Sequence, residues 1–185
     1  MIRDKIKILA VSGSLRANAS NNILLQAIER MMPDTEFFIY KGLGELPQFN
    51  DPEQLPLTVS VWCKHLRDAD AVLVCSPEYA FGVPGSLKNA FDWTVGSGEL
   101  VNKPLALITA STGGEKAHAS WLQIFTALSA AIPPDGALLI PYVRSKLNAA
   151  GEISDPSTLE AVKKLVDNLT TFVQQQRETE KSAGS

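Results

Sequence analysis

Apolar residues gather in five short runs, IKILAV (6–11), TEFFIY (35–40), AVLVC (71–75), LALITA (105–110) and ALLIPYV (137–143), separated by longer stretches of mixed polarity. Short, nearly continuous apolar runs bounded by turn-forming residues predict strands buried on both faces. The stretches between them repeat their apolar positions with a helical period, at roughly 21–32, 55–68, 85–95, 116–131 and 157–176. Each is bounded by Pro, Gly, Ser or Asn, where helices prefer to begin or end. Strand and helix therefore alternate five times. Right-handed crossovers turn that order into a parallel sheet covered by helices on both faces, an α/β three-layer sandwich. In such a sandwich, the ligand crevice lies at the carboxyl ends of the strands.

The 185 residues, 45% of them hydrophobic, suffice for one sizeable domain and leave no room for a second domain. One domain is predicted over 1–176, with RETEKSAGS (177–185) a disordered tail, since it lacks apolar periodicity. A net charge of −3 with 17 scattered basic residues offers no broad positive field, which excludes nucleic acid as the main partner. The first apolar run carries lysines and is too short for a signal peptide or a membrane span, so a cytoplasmic address is expected. Cys63 and Cys75 lack the Cys or His neighbours of a zinc site. They read as small buried hydrophobes, and no metal is expected.

Function should then sit in the loops after strands one, three and four, and these hold most of the unusual residues: VSGSLRANASNN (11–22), SPEYAFGVPGS (76–86) and STGGEKAH (111–118). A helix starting near Asn21 leaves its first N–H groups unpaired and carries a partial positive charge, which suits an anion. Ser14, Ser20 and Asn21 add donors, and Arg16 adds a forked cation matched to phosphate oxygens. The stretch fits neither the Lys-Ser/Thr loop of nucleoside triphosphate sites nor G-x-G-x-x-G, so a phosphate monoester is the better match. The alternative is a helix cap at Ser20 or Asn21 with Arg16 a solvated charge. In the second loop, two prolines and two glycines stiffen the backbone and let it approach a flat heterocycle. Residues 78 to 82, including Ala80, would offer backbone N–H and C=O groups, with Tyr79 or Phe81 as an apolar wall. Ser111, Thr112, Gly113 and Gly114 would meet the opposite edge. For Glu78 the alternative is to cap a neighbouring helix, and for Trp93 it is the core.

The ordered set GSLRxxxSN, PEYxxGxPGxLKNAxDW and STGG, with GLGELPQFNDPE (42–53) between the first two, resembles the NADPH-dependent FMN reductase family, which includes quinone, azo-dye and chromate reductases. The resemblance implies a flavodoxin-like sheet of order 2-1-3-4-5, bound FMN as cofactor, and NADPH or NADH as electron donor. It also implies that Ser14, Arg16, Ser20 and Asn21 hold the FMN phosphate. Pro77, Glu78, Tyr79 and Gly82 would line the isoalloxazine, with Ser111, Gly113 and Gly114 near its other side. Hydride would pass through the flavin to a quinone, free flavin, azo compound or metal oxyanion by a ping-pong route. No catalytic acid–base residue is called for, and His118 is expected to pack locally. The family works as homodimers or homotetramers; the segments 47–52 and 94–104, with Phe49 or Trp121 as anchor, are the expected contacts. Three positions depart from the family pattern: Ala19 replaces a serine, Ala80 replaces an asparagine, and EKAHAS (115–120) replaces a glycine-rich, arginine-bearing continuation. Two other readings remain: an FMN electron carrier with no direct NAD(P)H reactivity, and a regulatory module without cofactor.

Overall fold

The computed structural model describes residues 5–183. Five parallel strands, β1 (Ile6–Ser12), β2 (Thr35–Tyr40), β3 (Ala71–Ser76), β4 (Leu105–Ala110) and β5 (Ala137–Ile140), form one sheet in the order β2-β1-β3-β4-β5. Five helices connect or follow them: α1 (Ser20–Met31), α2 (Leu57–Asp68), α3 (Gly85–Asp92), α4 (Glu115–Ala127) and α5 (Pro156–Ala183). This is the expected doubly wound sandwich, and the order reverses direction between β1 and β3, where such folds open a crevice.

Strand burial follows position in the sheet. Every residue of β3 and β4 is buried, because a central strand is covered from above and below. The edge strand β2 alternates partly buried with exposed residues, and Phe38 stands 48% exposed with its ring stacked on His65. Alternate residues of β1 feed two separate cores. Ile8 and Ala10 meet Leu24, Leu25 and Ile28 of α1 and Leu165 and Leu169 of α5. Leu9 and Val11 meet Trp62 of α2, Phe91 of α3, and Trp121 and Phe125 of α4. Aromatic rings run through the second core: Trp62 lies 5.9 Å from Phe91, and Phe91 lies 5.1 Å from Phe125. Their polar ends are satisfied, Trp62 donating to the Ala90 carbonyl at 2.8 Å and Trp121 to the Ser76 hydroxyl at 2.7 Å. Buried indoles need such partners. The Trp121 bond also holds the end of β3, where the second loop begins. Trp121 is fully buried, so it anchors the core and cannot anchor a subunit contact. Phe49 is 42% exposed and packs edge-on against Trp93, whose indole donates to the Pro47 carbonyl at 2.8 Å.

Helices α3 and α4 stop at Asp92 and Ala127, short of the expected 95 and 131, and the ends of β5 and α5 differ as well. β5 stops at Ile140, because Pro141 has no N–H for the ladder; Tyr142 then turns into the left-handed region at φ 54°. Helix α5 continues beyond 176 to Ala183, so residues 177–183 are helical where a disordered tail was expected; residues 184 and 185 lie outside the described residues. A pairing made far along the chain supports the extension: Arg177 meets Asp70 at 2.7 Å, and the same carboxylate oxygen accepts the Lys7 N–H at 2.7 Å.

Candidate active site

The three loops converge at the carboxyl ends of β1, β3 and β4, and each is bonded to the next. Gly13 donates to the Cys75 carbonyl at 2.8 Å, which seats the first loop on the end of β3. A Cβ at Gly13 would lie 3.0 Å from both Leu87 and Pro77, so a side chain there would push the first two loops apart. The first turn of α1 has no side-chain cap. Ala19 precedes it in extended conformation without a capping bond, where Ser20 or Asn21 was the alternative expected cap. The Ala19 carbonyl accepts from the N–H groups of Asn22 at 2.9 Å and Ile23 at 3.1 Å. Those of Ser20 and Asn21 stand ahead of the helical ladder, where a helix end presents them to an anion.

Ser14 is buried, yet its hydroxyl oxygen accepts twice, from the Arg16 N–H at 3.4 Å and the Tyr79 hydroxyl at 3.3 Å. A hydroxyl that accepts in this way keeps its own proton to donate. Arg16 is exposed and makes no ion pair among the described residues, which leaves its guanidinium available. Asn21 behaves otherwise. Its side-chain amide turns inward and donates to the Ala110 carbonyl at 3.2 Å and to the Cys75 sulfur at 3.3 Å. It therefore ties α1 to β3 and β4, and only its main-chain N–H remains for a ligand. Both thiols are inert by burial, which pushes Cys63 up to about 11 and Cys75 up to about 12.

The second loop closes as a tight hairpin. Tyr79 N–H donates to the Gly82 carbonyl at 3.0 Å and Gly82 N–H to the Tyr79 carbonyl at 2.9 Å. Both central residues take positive φ, Ala80 at 49° and Phe81 at 58°, the turn that matches strand twist and normally uses Asn or Gly. Side chains held this way store about 1–3 kcal/mol each, a feature concentrated at functional sites. Phe81 is left 81% exposed and Tyr79 45% exposed. Glu78 reaches across to the third loop: its N–H donates to the Ser111 hydroxyl at 3.2 Å, and its carboxylate accepts the Ala117 N–H at 2.9 Å. Of the two roles considered for this side chain, the structure places it as the cap of α4.

The third loop is tied from the other side. The Thr112 carbonyl accepts the Tyr142 N–H at 3.2 Å and the Ser111 carbonyl accepts the Val143 N–H at 3.1 Å. Gly114 leads into α4 at φ 120°. Sequence reasoning passed over two exposed apolar residues on this rim, Leu15 (61%) and Tyr142 (67%). Tyr142 lay inside an expected strand, and only the proline beside it hinted at an earlier end. Among the described residues no cluster of His, Cys, Asp or Glu could hold a metal, and no helix is long and apolar enough to cross a membrane.

His118 packs locally, as expected, with its Nδ1 2.9 Å from the Thr109 hydroxyl. Burial lowers its pKa from the ordinary 6.5, so it is neutral at pH 7. The unfolded chain protonates this imidazole near pH 6.5 while the folded protein resists, so stability is lost as pH falls from that value through the lower folded pKa. Thermal unfolding between pH 7.5 and 5 is expected to show a falling midpoint, and His118→Gln to flatten the slope. An unaltered slope would show that this imidazole titrates alike in both states.

An open α1 N-terminus with a serine and a free arginine beside it, facing a stiff hairpin at the switch point of a parallel sheet, is the arrangement in which a flavodoxin-like fold can receive a mononucleotide. The comparisons with known proteins agree with that reading. The profile of the NADPH-dependent FMN reductase family matches residues 6–144, and the chain belongs to that family. It is 30% identical over 186 residues to an NADPH:quinone oxidoreductase of Arabidopsis thaliana, covering 92% of this chain and 93% of that one. It is 28% identical over 180 residues to a quinone reductase of Escherichia coli K12, covering 91% and 94%. Among solved structures, the flavoenzyme NAD(P)H:(acceptor) oxidoreductase FerB of Paracoccus denitrificans superposes with a TM-score of 0.79 at 25% identity, covering 92% of this chain and 98% of FerB.

Proposed function

We propose that the protein binds FMN in this crevice and reduces quinones or other small planar acceptors with NAD(P)H, donor and acceptor using one face in turn. The observation that carries the reading is the bonding of all three loops into one frame, Ser14 to Tyr79 and Glu78 to Ser111, around an uncapped helix end. Family membership supplies the cofactor and the reduced nicotinamide, and the quinone reductases of Escherichia coli and Arabidopsis support the acceptor class. Bound there, FMN supplies hydride acceptance at its N5 and onward electron transfer.

The chain's own residues bind and orient. The Ser14 hydroxyl, the Arg16 guanidinium and the N–H groups of Ser20 and Asn21 would hold the phosphate. Ala19 contributes no hydroxyl, so the main-chain donors carry a larger share. The main chain of Pro77 to Gly82 would line one edge of the ring, with Tyr79 and Phe81 as apolar walls. Ser111 to Gly114 would line its other side. In the second loop the N–H groups of Glu78, Tyr79 and Gly82 are already bonded within the protein, so those of Ala80 and Phe81 would be the fixed dipoles offered to negative charge developing on the ring. No side chain needs to move a proton, in keeping with the neutral, locally bonded His118.

A single anaerobic experiment tests both halves of the reading. Protein loaded with FMN is expected to bleach in the visible on adding NADPH or NADH, and steady-state rates with a benzoquinone are expected to give parallel double-reciprocal lines. Bound flavin that stays yellow with both donors would indicate an electron carrier instead. Intersecting lines would require donor and acceptor to be bound together.

A further inference from the structure

Glu78 lies in the second loop, yet its carboxylate is spent on the third. It accepts the N–H of Ala117, the third residue of α4, at 2.9 Å, a bond that a helix usually takes from a residue immediately before its first turn. Here the preceding residue is Gly114, which has no side chain to cap with. The cap comes instead from 39 positions away, and the same residue's main-chain N–H donates to Ser111 at 3.2 Å. One residue thus makes two bonds across the crevice. The carboxylate also lies close to Gly113, where a Cβ would sit 3.8 Å from Glu78 Oε1 and 3.0 Å from Glu115 Oε2, so two carboxylates stand at this helix start. A helix N-terminus alone presents about half a positive charge to its surroundings. The carboxylates of Glu78 and Glu115 at that end oppose the positive field it would otherwise present to the crevice.

We propose that Glu78 is a positioning residue, holding the second loop to α4 by the Ala117 bond and placing a standing negative charge beside the flavin ring. The proposal rests on the reading of this crevice as the FMN site. Reduced flavin carries more negative charge than oxidised flavin, so a fixed carboxylate nearby weakens binding of the reduced form more than the oxidised one and lowers the midpoint potential.

Two variants separate the bond from the charge. Glu78→Gln keeps an oxygen that accepts the Ala117 N–H and removes the charge. It is expected to bind oxidised FMN as the parent does and to hold reduced FMN about tenfold more tightly, which raises the two-electron midpoint potential by about 30 mV. Glu78→Ala removes the bond as well. Without flavin it is expected to lose hydrogen-exchange protection at the Ala117 amide, and with flavin to bind FMN about tenfold more weakly. A Gln variant with the parent's potential, or an Ala variant with the parent's exchange at Ala117, would overturn the proposal. Parent protein that fails to quench FMN fluorescence would overturn the cofactor site itself, and the Ala117 exchange would still report on the bond.

Discussion

Arg16→Ala is expected to weaken FMN binding about tenfold to a hundredfold while leaving the unfolding of the flavin-free protein unchanged. A hydrogen bond between charged groups contributes about 1.5–3 kcal/mol, and the forked guanidinium can make two to one phosphate. Nothing in the protein competes for it, since Arg16 is exposed and makes no ion pair among the described residues. Its removal therefore costs the fold nothing and the ligand much. Arg16→Lys should recover part of the loss, because it restores the charge without the planar fork. Fluorescence titration of FMN gives the affinities and a thermal melt of the apoprotein gives the control. Equal affinity in Arg16→Ala and parent would move the phosphate away from the first loop.

The second large effect is on stability. Gly114→Val should destabilise the protein by about 2–4 kcal/mol, through backbone strain and crowding together. At φ 120° the backbone is in a region that side chains avoid, and a Cβ there would lie 2.8 Å from Leu139 Cδ1 and 3.2 Å from Thr109 Cγ2. Leu139 can yield, being the tip of a flexible chain. Thr109 is buried in β4 and bonded to His118, so it yields less. The third loop would then lift from β5 and carry Ser111 away from Glu78, and FMN affinity should fall along with stability. Urea unfolding measures the first and flavin titration the second. A Val variant as stable as the parent would mean that the loop relaxes to ordinary backbone angles.

The hydrophobic runs located all five strands because a strand covered on both faces is apolar over most of its length, as β3 and β4 are apart from the buried Ser76 and Thr109. The edge strand β2 was still visible, since half of its residues face a core. The loops that carry the chemistry were legible as places, through their glycines, prolines and hydroxyls. What individual side chains do there was less legible. Asn21 looked like a phosphate ligand, but its amide donates to a carbonyl 89 residues away. Ala80 and Phe81 gave no sign of a turn with two positive φ angles, because Ala-Phe lacks the usual Asn-Gly signature.

The sequence by itself determined the alternation of strand and helix, the three loops and the family they mark, since these depend on local periodicity and on residue types at short spacing. Tertiary structure alone decided that Glu78 caps a helix begun 37 residues later, that Asn21 faces inward, and that α5 runs on past Arg177 to Ala183. Each of these is a bond between groups far apart in the chain, and the energy of such a bond exists only once the sheet has brought both partners to the same edge.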